Sequence, residues 1–496
     1  MFGLLLINAA LIVGQPTVGG TLPMSALPAV GAASPTTGGE ATRPPSDGLP
    51  PASPTAVTLP VLRAPPTRLR RLDAPTKDDK PKPVEVEAPL LPVPPAKRAE
   101  PVAPAEEVTL ADRWPLMRAL QGTLYGAALD DNRMYVSGWL EASMNVSTAK
   151  ISNSPLVWTD RANTPMFQQG WLRFGRSVVT SGTTDPTFGF QVDVLAGTDY
   201  RFTLPRGLLN SQLLNSKGNP NIYGVDPIQH YVNAYVPTLF QGTEFRVGRL
   251  YTPIGIESNE AVSTPLMTRS YAFNWGCPFT TYGVATYTTF SPVWSGVFML
   301  TNGNDVVIGD SSEEMRFIGN IKWTQPGGQN TVTFATTVGR GKFDAGAPFD
   351  TPTPALATEP TGRNNINVFD AIWTHTINSK LSYNLEAQYG YQTNVPGITN
   401  ATGYGTANWA SVVHYLFYTV TPEVLTTLRF ETFDDFQGQR TGFRGLYTST
   451  TVGLQYKPYK SLIIRPEIRY DYNNESRPFE GKHDLLFAGA DIILRF

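Results

Sequence analysis

The stretch "MYVSGWLEASMNV", residues 134–146, alternates apolar and polar side chains. Leu140 and Met144 share one face, and Glu141 and Asn145 share the other. Because successive side chains of a β-strand point to opposite faces, the alternation predicts a strand between two different surroundings. Strands in soluble sheets typically have ~5–6 residues, whereas a tilted membrane strand needs ~9–11. The length of this stretch therefore favours a membrane strand.

The same alternation recurs to the end of the chain. It predicts sixteen strands, or eighteen if one hairpin escapes the pattern, with boundaries good to a few residues. The predicted strands are residues 134–146, 165–177, 187–199, 228–239, 243–251, 280–290, 292–302, 315–325, 330–340, 366–376, 379–391, 405–419, 423–434, 446–457, 460–473 and 483–496.

The connections between these strands alternate in length. Connections after even-numbered strands are short turns, apart from residues 178–186, and connections after odd-numbered strands are long. Long connections at one end and short turns at the other are typical of outer-membrane barrels. The long connections are residues 147–164, 200–227, 252–279, 303–314, 341–365, 392–404, 435–445 and 474–482.

A large soluble β-protein is the alternative. A propeller would repeat every ~40–45 residues, and no such repeat is found. A soluble barrel of this many strands would enclose more space than side chains fill. The chain also ends on "LLFAGADIILRF", whose last residue, Phe496, resembles the terminal signal read by the barrel-insertion machinery. We predict an all-β fold: a transmembrane antiparallel β-barrel over residues 134–496, in contact with outer-membrane lipids.

The composition of the 496-residue chain limits its partners. Lys plus Arg number 39 against 41 Asp plus Glu, so nothing indicates nucleic-acid binding. The single cysteine, Cys277, excludes a disulfide framework and a Cys-based zinc site, and the four His residues are scattered. We therefore expect no metal and no cofactor.

Residues 1–110 differ from the rest of the chain, because they hold 21 of the 43 prolines and one aromatic residue, Phe2. "FGLLLINAALIV" is an apolar run that predicts a signal-peptide-like segment over residues 1–33, although no basic residue precedes it. A buried strand is the alternative. The Pro-rich residues 34–110 predict a disordered linker, and residues 111–133 a short helix or lead-in.

The stretch "GRLYTPIGIESNEAVSTPLMTRSYAFNWGCPFTTYGV", residues 248–284, resembles the family named Putative beta-barrel porin-2, or OmpL-like. The resemblance covers about residues 115–496 and leaves out the Pro-rich segment. It implies a pore for passive diffusion of small hydrophilic solutes or ions, and it names no solute. Porins of this size are commonly trimers, so a homotrimer is an open expectation.

An aqueous lumen predicts that the polar faces of the strands line water. Alternatively, these charges only solvate the wall and pair with their neighbours. The candidate lumen-lining charges are Arg173, Arg246, Arg316, Arg429, Glu431, Arg465, Glu467, Arg469 and Asp471.

The connection 252–279 corresponds to the loop that, in the general porins it resembles, folds into the lumen and narrows it. Its prolines and glycines exclude a continuous strand, and its apolar residues need a surface to pack against. We therefore predict that Glu257, Glu260, Arg269 and Tyr271 form the pore constriction. The alternative is that the connection caps the extracellular mouth.

Catalytic motifs are missing from the sequence, which contains neither G-x-S-x-G nor H-E-x-x-H. We expect that the protein is not an enzyme. Two other classes stay open: a Ser/His hydrolase on the barrel wall, and a structural outer-membrane anchor with a Pro-rich periplasmic arm.

Overall fold

Each of the sixteen alternating stretches forms a strand in the computed structural model of the chain, and the strands close into one antiparallel barrel. The structure describes residues 113–307, 313–341, 366–396, 398 and 404–496. The predicted signal-peptide-like segment and the Pro-rich linker lie outside these residues. The predicted fold class and the strand number of sixteen are confirmed.

The strand bounds agree with the predicted ones to within a few residues. The strands are β1 Met134–Ser147, β2 Met166–Arg176, β3 Thr187–Gly197, β4 Gly224–Val236, β5 Thr243–Tyr251, β6 Thr280–Thr289, β7 Trp294–Thr301, β8 Glu313–Thr324, β9 Asn330–Gly341, β10 Ile366–Thr376, β11 Leu381–Pro396, β12 Tyr404–Thr421, β13 Val424–Asp435, β14 Gly445–Tyr459, β15 Leu462–Asn473 and β16 Asp484–Arg495.

Every strand pairs with its neighbours in sequence, and β1 closes the barrel against β16. Leu140 lies opposite Leu494 in this closing pair. The N–H of Gly138 donates to the carbonyl of Phe496 (3.0 Å), and the N–H of Phe496 donates back to Gly138 (2.9 Å). Closure removes the free edges that would otherwise leave backbone groups unpaired in a membrane.

The two faces of the wall are reversed relative to a soluble protein. On β1 the apolar Leu140 is 44% exposed on the outside, whereas Glu141 is fully buried inside. On β15 Ile468 is 60% exposed, and its neighbour Arg469 has no exposure. An outer surface of exposed aliphatic and aromatic side chains suits a lipid environment rather than water.

Strand β4 begins earlier than the sequence indicates, at Gly224 rather than residue 228. Pro227, inside this strand, lacks an N–H for the β-ladder. The structure accommodates this proline in a register shift, in which Leu195 pairs with Asp226 and Asp193 pairs with Gln229. The strand continues on both sides of the irregularity.

Two short helices precede the barrel, α1 Pro115–Leu120 and α2 Leu124–Asp131. Pro115 suits the first turn of α1, where its missing N–H costs nothing. The hydroxyl of Thr123 caps α2 by accepting from the N–H of Gly126 (3.0 Å). The sulfur of the buried Met117 accepts from the N–H of Val136 (3.4 Å), which docks α1 on the start of β1. A third helix, α3 Tyr200–Thr203, lies between β3 and β4.

Among the residues that the structure describes, none of the helices combines the length and the apolar composition needed to cross a membrane.

Candidate functional site

The connection between β5 and β6, residues 252–279, packs against the inward-facing side chains of the barrel wall, and we call it the inserted segment. Backbone N–H groups must find partners when water is excluded, and here they donate to wall carboxylates. The wall therefore guides the path of the segment. Asp370 on β10 accepts from Gly255 (3.0 Å), Glu386 on β11 from Ile256 (3.3 Å), Glu431 on β13 from Tyr271 (2.6 Å) and Glu467 on β15 from Met267 (2.8 Å).

Three wall arginines bind the carbonyl groups of the same segment. They are fully or almost fully buried, and each donates from its guanidinium. The inserted segment is thus held through both its donors and its acceptors. Arg429 donates to Thr268 (2.7 Å), Arg465 to Ala261 (2.8 Å) and Thr264 (2.7 Å), and Arg469 to Arg269 (2.7 Å).

Most charges predicted to line the lumen on β13 and β15 form buried ion pairs. Arg469 pairs with Asp471 (2.8 Å) and Glu431 (3.3 Å), and Arg465 pairs with Asp491. Removing one residue of a buried ion pair would leave the charge of the other uncompensated, so these pairs are structurally required. They face inward, and the inserted segment covers them.

Arg269, one of the four residues predicted at the constriction, is fully buried within the inserted segment. Its guanidinium donates to the carbonyls of Ser258 (3.1 Å) and Met267 (3.2 Å) and lies 4.6 Å from the ring centre of Trp158. Removal from water lowers the pKa of Arg269. Arg269 therefore holds the segment in shape from within.

Tyr271 is also fully buried. Its ring lies 5.0 Å from the guanidinium of Arg469 and 4.9 Å from the ring of Tyr447. Burial raises the pKa of Tyr271 well above its usual range. The side chain thus forms part of the packing between the segment and the wall.

Glu257 and Glu260 have different environments although they are three residues apart. Glu257 pairs with Arg429 (2.8 Å) and accepts from the N–H (2.6 Å) and the hydroxyl (2.8 Å) of Ser270. Glu260 pairs with Arg173 on β2 (2.5 Å), and these two side chains keep 13% and 23% exposure. Burial raises the pKa of Glu260. Of the four residues predicted at the constriction, Glu260 is the most accessible to water.

Some charged side chains on the wall from β2 to β6 keep contact with water, whereas Asp193, Asp226 and Arg249 on the same wall are fully buried. Arg173 also pairs with Asp193 on β3 (2.6 Å). Farther along this wall, the guanidinium of Arg246 on β5 pairs with Glu244 (2.8 Å), and their side chains are 23% and 15% exposed. Arg246 lies against two aromatic rings, of Tyr231 (4.8 Å) and Tyr287 (4.1 Å). The partly exposed Arg173, Arg246 and Glu244 contrast with the inward charges of β13 and β15, which are covered.

The two remaining predicted site residues are Arg316 and Phe496. Arg316 on β8 is buried and donates to the carbonyl of Ile366 and to Asn367 (3.2 Å) at the start of β10. The ring of Phe496 packs over Gly138, where an added Cβ would lie 2.7 Å from the ring. Phe496 thus occupies the closing seam of the barrel.

A cavity of about 240 Å³ lies beside Glu260 and Arg173, next to the closing seam. It combines charged groups, hydroxyl groups and indole rings. Its lining residues are Trp114, Ser137, Gly138, Trp139, Arg173, Glu260, Val262, Ser263, Arg495 and Phe496.

Two tryptophans of this region were not predicted from the sequence. Trp158, in the β1–β2 connection, supports Arg269 and donates its indole N–H to Asn274 (2.8 Å). Trp114 lines the cavity from the lead-in before α1. Both lie in connections without periodicity. A bulky aromatic residue outside the strands is the one signal that marks them.

The sequence matches the model of the family described as "Putative beta-barrel porin-2, OmpL-like" over residues 133–496. None of the curated proteins gives a significant match.

Solved structures with a similar fold are distant in sequence. The outer-membrane channel DcaP of Acinetobacter baumannii is 11% identical, with a TM-score of 0.48 over 73% of this chain and 97% of that chain. OprB of Pseudomonas putida is 13% identical, with a TM-score of 0.47 over 79% and 100% of the two chains. OmpF of Salmonella typhi is 12% identical, with a TM-score of 0.48 over 74% and 99%.

Proposed function

Because the chain belongs to the Putative beta-barrel porin-2, OmpL-like family, we propose that it lets small hydrophilic solutes or ions diffuse passively between the inserted segment and the wall from β2 to β6. The protein is a porin, and a sixteen-stranded barrel is wide enough for an aqueous channel. The proposed route rests on one observation: the inserted segment covers some of the inward-facing wall charges and leaves others in contact with water. Charges on β13 and β15 are buried, whereas Arg173, Glu260, Glu244 and Arg246 keep contact with water.

The proposed route passes between charges of both signs. Glu260 and Arg173 lie at the edge of the inserted segment, and Arg246 and Glu244 lie on the wall of β5. Their placement beside low-dielectric protein strengthens their effect on a passing ion relative to open water. These four side chains, rather than the covered arginines, are therefore the proposed determinants of ion selectivity.

The proposed setting is the outer membrane, with the apolar outer face of the barrel against lipid. The long connections then face outward from the cell, and the short turns, together with α1 and α2, face the periplasm.

Phe496 is the proposed recognition residue for the barrel-insertion machinery. We expect that replacing the aromatic ring by Phe496→Ala lowers the amount of folded barrel in the outer membrane.

Reconstitution of the purified full chain into a planar bilayer tests the channel directly. We expect discrete, long-lived conductance steps. A sample unfolded by boiling, whose gel mobility differs from that of the folded barrel, is the control and should give none. If folded protein at high load gives no steps, the porin proposal is wrong, and the structural anchor with a Pro-rich arm becomes the better explanation.

The ion selectivity should depend on pH through Glu260. Its pKa is raised, mainly by burial, so Glu260 loses its negative charge at a higher pH than an exposed glutamate does. Protonation leaves the positive charge of Arg173 less compensated. We therefore expect the reversal potential in a KCl gradient to shift toward anions when the pH falls from about 7.5 to about 4.5.

The variant Glu260→Gln should show the anion-shifted reversal potential already at neutral pH, with a weaker pH dependence. Glu475→Gln, which removes an exposed carboxylate paired with Arg444, is the matched control and should behave as the wild type. If the reversal potential of the Glu260→Gln channel keeps the wild-type pH dependence, a group other than Glu260 causes that dependence.

A further inference from the structure

The cavity beside the constriction contains a guanidinium that is stacked but not hydrogen-bonded. Arg495 on β16 lies with its guanidinium carbon 4.0 Å from the ring centre of Trp114. Its side-chain N–H groups make no hydrogen bond or salt bridge with any residue that the structure describes. Stacking uses the face of the guanidinium and leaves the donors on its edge free for an acceptor in the plane.

The neighbouring charges distinguish Arg495 from the other arginine of the cavity. Arg173 is bound by two carboxylates, those of Asp193 (2.6 Å) and Glu260 (2.5 Å). Its charge is therefore compensated within the protein. Lys457 interacts electrostatically with Arg495, and Lys460 lies 5.4 Å from the ring centre of Trp114, so both add positive charge near Arg495. The carboxylate of Glu260 also acts on Arg495, but Arg173 already binds it.

The rest of the lining provides an apolar surface and hydroxyl groups. The indoles of Trp114 and Trp139 and the side chain of Val262 can cover the body of a small molecule, and Ser137 and Ser263 can donate hydrogen bonds. Trp139 is itself fixed by stacking on Trp171, with ring centres 4.5 Å apart. The lining is thus largely preformed.

We propose that this cavity binds the carboxylate of a small organic acid at the edge of Arg495, with the apolar body of the acid against Trp114 and Trp139. The inference deepens the proposed function, on which it rests, by naming a class of solute for the pore. It also assigns a role to the segment before the barrel, since Trp114 supplies one wall of the subsite.

The probes are benzoate, neutral benzamide and positively charged benzylammonium, which share a ring and differ in charge. Binding to the full-length protein in detergent is measured by calorimetry and by quenching of tryptophan fluorescence. We expect benzoate to bind more tightly than benzamide, and benzylammonium not to bind. Arg495→Gln removes a charge-assisted hydrogen bond to the carboxylate. We therefore expect the benzoate Kd to rise about tenfold or more in this variant.

Two further variants keep the result interpretable. Trp114→Ala removes a wall of the cavity from outside the barrel and should also weaken benzoate binding. Arg444→Gln removes an exposed arginine, 63% exposed, on the β13–β14 connection and should leave binding unchanged. Heat-dependent gel mobility confirms that each variant is folded. In bilayers, benzoate should shorten open times of the wild type and not of Arg495→Gln.

The proposal is overturned if benzylammonium binds as tightly as benzoate, or if Arg495→Gln and Trp114→Ala retain the wild-type Kd. Binding in detergent does not depend on conduction. A channel that conducts but binds no benzoate contradicts the subsite alone, and a protein that binds benzoate but never conducts contradicts the porin proposal alone.

Discussion

Replacing residues 252–279 by a Gly-Asn-Gly-Ser turn should raise the single-channel conductance by roughly threefold or more, because the inserted segment packs against the inward-facing side chains of a barrel wide enough for an aqueous channel. Tyr251 and Thr280, which flank the segment, are paired across β5 and β6, so a tight turn can join them. The strand ladders of the wall do not depend on the segment, and the barrel should still close.

The same replacement should change the selectivity of the channel. Wall carboxylates such as Glu431 and Glu467 now bind backbone groups of the segment, and without it they would face water. More charges of both signs would then line a wider channel, in which each acts on ions more weakly. We expect the reversal potential in a salt gradient to move toward the value for ions that diffuse as they do in bulk solution.

A matched deletion provides the control for this experiment. Residues 216–219, an exposed part of the β3–β4 connection, can be removed without touching the inserted segment. This variant should keep the wild-type conductance. An unchanged conductance after replacement of residues 252–279 in a folded barrel would show that the segment does not limit the path of ions.

Arg429→Met should release the inserted segment from the wall. The substitution removes a fully buried guanidinium that binds Glu257 (2.8 Å) and the carbonyl of Thr268 (2.7 Å), and it leaves the carboxylate of Glu257 without its cation. Loss of one partner of a buried ion pair typically costs about 3–5 kcal/mol. That cost corresponds to roughly a hundredfold or greater increase in the population of local openings.

Hydrogen exchange of the backbone amides of Met267 and Tyr271 measures these openings, because both amides donate to wall carboxylates in the closed segment. We expect their exchange to accelerate by roughly a hundredfold or more in Arg429→Met. In bilayers, the variant should show frequent transitions between conductance levels. Exchange of amides in the strand ladder of β1 and β16 should stay slow, which separates local release from unfolding of the barrel.

A double variant tests whether the ion pair itself is responsible. Glu257→Gln alone should also accelerate exchange, since it leaves the buried Arg429 with only the more distant carboxylate of Glu431 (3.8 Å) as a salt-bridge partner among the described residues. Arg429→Met combined with Glu257→Gln should be less damaging than the two separate effects added together. Additive effects would contradict a direct coupling and assign the stability of the segment to its other contacts.

The sequence alone predicts the barrel well because the signals for it are local. The alternation along residues 134–146 indicates a strand whose two faces have different environments, and a few residues suffice to detect it. Leu140 and Glu141 indeed lie on opposite faces. The predicted closure is confirmed, and the predicted strand bounds differ by a few residues. The bulge at Pro227 shows why they differ: whether a proline ends a strand or is accommodated within it depends on the neighbouring strand.

The sequence also identifies residues 252–279 as a segment that needs a surface for its apolar side chains. It does not tell which charged residues of the segment are buried and which keep contact with water. Glu257 and Glu260 are the same residue type in the same connection. One pairs with Arg429, far along the chain, and is buried, and the other pairs with Arg173 at the edge of the segment. A sequence pattern does not distinguish these two environments.

What the sequence determined by itself is the set of strands, their alternating faces, the long and short connections and the family. These properties follow from backbone geometry and from which face of each strand is apolar, and both repeat every two residues. The tertiary structure decided which inward charges the inserted segment covers, that Trp158 supports Arg269, and that Trp114 closes a cavity over Arg495. These contacts join residues from distant parts of the chain. They exist because each buried backbone group and each buried charge needs a partner, and the folded path of the segment determines which partner is within reach.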